Sequence, residues 1–350
     1  MSGFPRGAST YPRRFRRRAQ VAWRHRRKTI WGYIILENFI FVLNAVVPGF
    51  LLIGCGYAIR RIGWLSETGA KQINRLCFHL LLPSLLFRTI YTSDFKTAFD
   101  PLLLALCFGC LFGMIGVMLL IAPRLTDSRG RIGVMTQASF RSNAIMLGLP
   151  FAINLSGEEA AGTMGVLVAF TMPMFNVLAA ILFSIYNDNP NQRTSMKSVA
   201  VNVLSNPLII AASAGFLISA LPFPLPTLIR RPIFDLASAG TVVAMLGVGA
   251  QLDFKSALRN IKLTLVASCA KLIVLPLIGT VLGVLFGLGK APLCALFLVL
   301  GTPDATTCPI VADVMGADGP LAVEMVVFTT VASVFTVFLG SLILKNMGLI

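Results

Sequence analysis

The chain has 350 residues, of which 56% are hydrophobic and only 13% are Asp, Glu, Lys or Arg, with a formal net charge of +16. A soluble domain carries about 25% charged residues and must leave enough polar surface to face water. This composition therefore excludes a soluble enzyme or binding module and points to a chain embedded in lipid.

The charge is unevenly spread. Ten of the thirty basic residues precede Trp31; from Trp31 onward 20 basic residues face 14 acidic ones, a net of +6. A basic run can attract nucleic acid or anionic lipid. Here residues 1–30 are expected to be a disordered tail or a start-site extension, and no nucleic-acid partner is expected. The run also lacks the short apolar region and small-residue cleavage site of a signal peptide.

Crossing the hydrocarbon core takes about 20 mostly apolar residues. Ten candidates follow one another: 38–59, 73–90, 101–122, 132–153 and 162–186, then 199–221, 233–250, 262–288, 291–315 and 321–344. Runs this long and continuous predict helices rather than the alternating strands of a barrel. No connection is long enough for an aqueous domain, so the lipid bilayer is the main partner. Basic residues bias orientation. The odd-numbered connections hold Arg60, Arg61, Lys71, Arg75, Arg124, Arg129, Arg131, Arg193, Lys197, Lys255, Arg259 and Lys262, twelve in all. The other side holds six: Arg88, Lys96, Arg230, Arg231, Lys290 and Lys345. This predicts cytoplasmic odd connections and outward termini in a multi-pass protein of the inner (plasma) membrane; the basic run before Trp31 opposes that orientation.

Ten spans divide into two halves, 31–190 and 191–350. An odd number of spans per half inverts the second half relative to the first, a plan common among secondary transporters. The expected fold is thus an all-α membrane protein of ten transmembrane helices in two inverted five-helix repeats.

Spans four and nine carry the chemistry. Span four contains Arg141, Ser142 and Asn143, followed by Gly148 and Pro150, which weaken a helix. Span nine contains Pro303, Asp304, Thr306, Thr307 and Pro309. Broken helices at membrane depth persist where they line a cavity or are buried in protein, and their ends offer bare amide and carbonyl groups. Arg141 in mid-span costs at least about 2.5–3.5 kcal/mol on insertion scales. It is read either as a structural ion pair with Asp304 or as the group that attracts a carboxylate substrate. Asn143 is expected to contact substrate, with Ser142 beside it in the binding site; Thr306 and Thr307 either line the site or cap freed carbonyls. Lys271 in span eight is read as a snorkelling side chain or a coupling residue, and His79 in span two as a packing or proton-handling group. Asn74 is expected to cap the start of span two, and Glu324 to sit at the interface.

The seven cysteines lie in or beside apolar segments, with no disulfide or zinc spacing. Cys107 and Cys110 share one helix face, and no redox role is expected. Neither a metal nor a cofactor is expected. No paired Asp, His-Glu motif or Ser-Lys arrangement supports an intramembrane enzyme, and a receptor or scaffold would not need two charged, broken helices.

The residues resemble a known family. Pro48-Gly49-Phe50 through Gly54-Cys55-Gly56-Tyr57, Asn74-Arg75-Leu76-Cys77-Phe78-His79, Arg141-Ser142-Asn143 with Gly148-Leu149-Pro150, Asn206-Pro207, Gly247-Val248-Gly249 and Pro309-Ile310-Val311-Ala312 occur in order over about 37–346. In these the chain resembles the auxin efflux carrier family, in particular its short bacterial members of the malonate and related carboxylate transporter type. The resemblance implies that spans four and nine cross at their breaks. It implies a substrate site beside the crossing, flanked by Asn143 and the Asp304–Pro309 stretch, and an elevator-like movement of one domain against the other. Organic anions are the implied substrates and a homodimer is a possible assembly. The bile-acid type of sodium-coupled carrier shares broken, crossing helices and is the alternative transport reading.

Overall fold

A computed structural model describes residues 13–92, 99–186, 201, 204–205, 207–219, 224–252 and 259–350, with side chains from residue 35 onward except Ile310 and Val314. Asn206, Lys96, Lys255 and the connection 187–198 lie outside the described residues. All regular structure among the described residues is helical. Among the described residues six helical stretches, where the sequence predicts ten spans, are long and apolar enough to cross a membrane: Ile35–Arg61, Pro101–Arg124, Arg129–Ile185, Thr227–Gln251, Ile261–Leu285 and Gly319–Asn346.

Helix α1 spans Arg13–Arg61. It thus includes residues 13–30, expected as a separate tail; Arg, Ala and Gln there are good helix formers, and no proline lies between Pro12 and Pro48 to stop them. The second span is kinked: α2 (Glu67–Leu76) passes through a π-helical turn at Cys77–Leu81 into α3 (Leu82–Thr92). Its cap is Ser66, whose hydroxyl accepts from the Gly69 N–H, and not Asn74. Asn74 instead reaches the Gly247 carbonyl of another helix. Helix α4 (Pro101–Ile121) is capped by Asp100 and ends in a 3₁₀ turn, Ala122–Arg124.

The fourth span begins as α5 (Arg129–Phe140) and stops. It resumes as a π turn, Ala144–Gly148, that leads into α6 (Leu149–Ile185), which itself bends at Gly157 (φ 74°). The break therefore lies at Arg141–Asn143, upstream of Gly148 and Pro150, where the sequence reading puts it. Proline is tolerated in the first turn of a helix, where its missing N–H has no partner to lose, and Pro150 sits there. Gly148 leaves room for Met164, which a Cβ would approach to 2.5 Å.

The second half holds α7 (Pro207–Ser219) and α8 (Thr227–Gln251). Next, α9 (Ile261–Cys269) joins α10 (Leu275–Leu285) through a π turn, Ala270–Val274. The ninth span is α11 (Lys290–Gly301), an extended stretch, and α12 (Cys308–Val314); α13 (Gly319–Asn346) is the last. Pro303 lies in the break, whereas Pro309 starts α12.

Contacts between helix ends sort the connections onto two ends of the molecule. At one end Arg60 donates to the Ala250 carbonyl (2.7 Å), Arg129 to that of Ile185 (2.7 Å), and Arg131 pairs with Asp318 (2.9 Å). Glu324 is buried within the protein at this end: it accepts from the backbone N–H (2.8 Å) and the side chain (3.0 Å) of Asn260, which offsets its desolvation. At the other end Asn38 meets Asn346 (2.8 Å), Arg88 meets Glu158 (3.8 Å), and the Leu225 N–H donates to the Tyr91 hydroxyl (3.0 Å). Successive spans therefore run in alternate directions.

The helices form two groups. Helices α1, α2, α3, α7 and α8 pack on one another; α4, α5 and α9–α13 form the second group, and α6 and α13 bridge to the first. The α1–α8 contact is backbone on backbone: a Cβ at Gly249 would lie 1.8 Å from the Ile53 carbonyl oxygen, and one at Gly56 2.0 Å from that of Leu246. Small residues permit such approach where lipid supplies no hydrophobic drive. The half-helices α5 and α11 are buried nearly all round; α11 is apolar on every face, as such a helix must be, whereas α5 also buries Thr136, Gln137 and Ser139. The outer helices expose Leu51, Phe112, Leu120, Leu285 and Phe335, a surface suited to lipid.

Candidate functional site

The two breaks meet in the interior. The Asn143 N–H donates to the Pro303 carbonyl at 2.8 Å, joining one interrupted backbone to the other. Span four approaches from one end of the molecule and span nine from the other. Both α5 and α11 thus end at this point and leave carbonyls without intrahelical donors.

Lys271 satisfies them. It occupies the π turn of the eighth span and is 0% exposed, so it does not snorkel. Its ammonium donates to the Leu300 carbonyl at 2.8 Å, to the Phe140 carbonyl at 3.4 Å, and to the Ser142 hydroxyl. Ser142 in turn donates to the Val299 carbonyl. Its hydroxyl thereby links the two breaks, engaged on both sides within the protein.

Arg141 and Asp304 form no ion pair. The Arg141 Nη2 donates to Thr307 Oγ1 (3.2 Å) and to Asn176 Oδ1 (3.3 Å), bridging span four, span nine and α6. Asp304 is held within its own segment: Oδ1 accepts from the Ala305 N–H (2.7 Å) and the Cys308 thiol (2.8 Å), while the Asp304 N–H donates to Thr329 Oγ1 (3.1 Å). Thr306 is buried and its hydroxyl faces Met146 of the π turn.

Two donors in this cluster are buried without an acceptor, Arg141 Nη1 and Asn143 Nδ2. Leaving a buried donor unmade costs about 1–3 kcal/mol, more when charged. They lie two residues apart in one non-helical break, which marks a place for an acceptor-bearing molecule. His79 is not brought here: it is exposed in the π turn of the second span, its Nδ1 on the Arg75 carbonyl at 2.9 Å. Among the described residues no group of His, Cys, Asp or Glu could hold a metal ion.

Residues 41–340 match the family described as membrane transport protein. The chain belongs to that family. It is accordingly a multi-pass membrane transporter, and the resemblance to auxin efflux carriers holds along most of its length. The transporter is 24% identical over 310 residues to an uncharacterized transporter of Methanocaldococcus jannaschii, with 87% of this chain and 99% of the relative covered. An uncharacterized transporter of Methanothermobacter thermautotrophicus shows the same identity and coverage. A lysosomal cholesterol signaling protein of Mus musculus is 23% identical over 252 residues, covering 67% of this chain and 29% of its own.

Sequence reasoning missed one side chain and three backbone carbonyls of the site. Asn176 follows Pro173 in an apolar span, and a lone amide there was a usable signal. The carbonyls of Phe140, Val299 and Leu300 have no signature at all, because every residue carries one.

Proposed function

We propose that the protein is a secondary active transporter of small organic anions: mono- or dicarboxylates such as malonate or malate, or auxin-like acids. The observation that carries this reading is the buried, acceptor-less donors Arg141 Nη1 and Asn143 Nδ2 at the paired breaks. A carboxylate presents two acceptor oxygens and accepts charge-assisted bonds strongly. Thr306 and Thr307 complete the lining from span nine, and Ser142 holds the geometry beneath. Asp304 is the coupling group, able to take up a proton when the substrate's charge enters; His79 stands apart from it.

Two inverted repeats of five spans fit the alternating helix directions. The group containing α5 and α11 moves against the group containing α1 and α8, and carries the site across the inner membrane between its two faces. The ends bearing Arg60 and Arg129 face the cytoplasm, and a homodimer is the assembly the family resemblance suggests. Efflux of an anion is favoured by an inside-negative potential by about 2.3 kcal/mol per charge per 100 mV.

The test is labelled malonate and malate flux in liposomes under an imposed pH gradient or potential, with Asn143→Ala alongside. Saturable flux abolished in Asn143→Ala is the expected result, and the gradient that drives it names the coupling. Flux unchanged by the substitution places the substrate elsewhere.

A further inference from the structure

We propose that Lys271 is a tethered cation filling a cation-coordination site built from the ends of two half-helices, so that the transporter carries in its own chain the positive charge a sodium ion would supply. The ligands are backbone oxygens of Phe140 and Leu300 and the hydroxyl of Ser142. Carbonyls at unwound helix ends are the ligand type that holds alkali cations in transporters. Three oxygens also match the three donors of an ammonium. Ser142 gives its proton to the Val299 carbonyl, which leaves its lone pairs for the cation.

The two helix ends supply the negative charge at contact distance, and the Asp304 carboxylate acts on Lys271 from beyond ion-pair distance. Each helix C-terminus carries about −0.5 of an elementary charge, and α5 and α11 end here together, about one unit against one ammonium. Among the described residues no carboxylate lies within ion-pair distance of Lys271. The π turn at Ala270–Val274 re-aims this one position of the eighth span toward the breaks. On the same face, Thr264 and Ser268 are buried with hydroxyls that have no partner. They form a polar line from the Asn260 end to the ammonium.

The test is thermal unfolding of the full chain in detergent, in sodium chloride against choline chloride at equal ionic strength. It reads cation binding without any substrate, so its failure and that of the carboxylate reading are separate results. The wild type is expected to melt at the same temperature in both salts. Lys271→Ala is expected to lose several degrees in choline and recover most of them in sodium or methylammonium. Lys271→Met fills the space without charge and is expected to lose stability in every salt. A wild type stabilised by sodium overturns the proposal, as does a folded Lys271→Ala indifferent to all cations or a Lys271→Met as stable as wild type. If neither variant folds, the wild-type comparison and the sodium dependence of its flux decide.

Discussion

A charged side chain inside a bilayer is expensive, and Arg141 and Lys271 answer that cost differently. Lys271 spends its donors on fixed backbone oxygens within the protein. Arg141 leaves one nitrogen unmatched while the other bridges Thr307 and Asn176. A planar guanidinium can hold two partners and still present a second N–H edge; an ammonium cannot. Arg141→Lys is therefore expected to keep the fold but to raise the substrate KM by on the order of tenfold or more, the equivalent of about 1.4 kcal/mol per tenfold. Liposome flux against substrate concentration checks this. Arg141, Asn143 and Asp304 could be picked from the sequence because polar residues stand out in apolar spans. Their partners could not: pairing Arg141 with Asp304 was reasonable by depth, but Asp304 turns back onto Ala305 and Cys308.

At the scale of elements, two kinds of interruption look alike in sequence and differ in space. Pro150 and Pro309 lie in first helical turns, whereas the actual gaps, Arg141–Asn143 and the stretch holding Pro303, are non-helical backbone joined by the Asn143 N–H to the Pro303 carbonyl. Prolines could be read; which side of each proline unwinds depends on the facing chain. The glycines of α1 and α8 make the converse point. Gly247 and Gly249 stand in the sequence as part of a family-like stretch, and the structure supplies the reason for one of them, the Ile53 carbonyl under Gly249. Gly249→Val is expected to destabilise by about 1–3 kcal/mol or more through overpacking, seen as a lower Tm in detergent. Glu324→Ala removes the acceptor for two Asn260 donors. A loss of about 1–3 kcal/mol is expected, again read as Tm, with Glu324→Gln intermediate because it keeps one acceptor oxygen.

For the whole molecule, the end-to-end contacts fix which connections share a side. Trp64, exposed at 80%, and Asp127 are on the side of Arg60 and Arg129; Glu158 and Lys290 are on the other. In a background without native cysteines, Trp64→Cys and Asp127→Cys are expected to react with an impermeant thiol reagent from one face of the membrane. Glu158→Cys and Lys290→Cys should react only from the opposite face. Mixed labelling within either set would contradict the alternating arrangement.

By itself the sequence determined that this chain lives in lipid, that its structure is helical, and that spans four and nine are interrupted by polar residues. These follow from apolar content, run length and the cost of polar groups in hydrocarbon, all local quantities. Only the tertiary structure decided that the two interruptions bond to each other, that Lys271 closes both half-helices, and that Arg141 keeps a donor free. Those outcomes depend on backbone carbonyls, which carry no letter in the sequence, and on distances between helices that only packing sets.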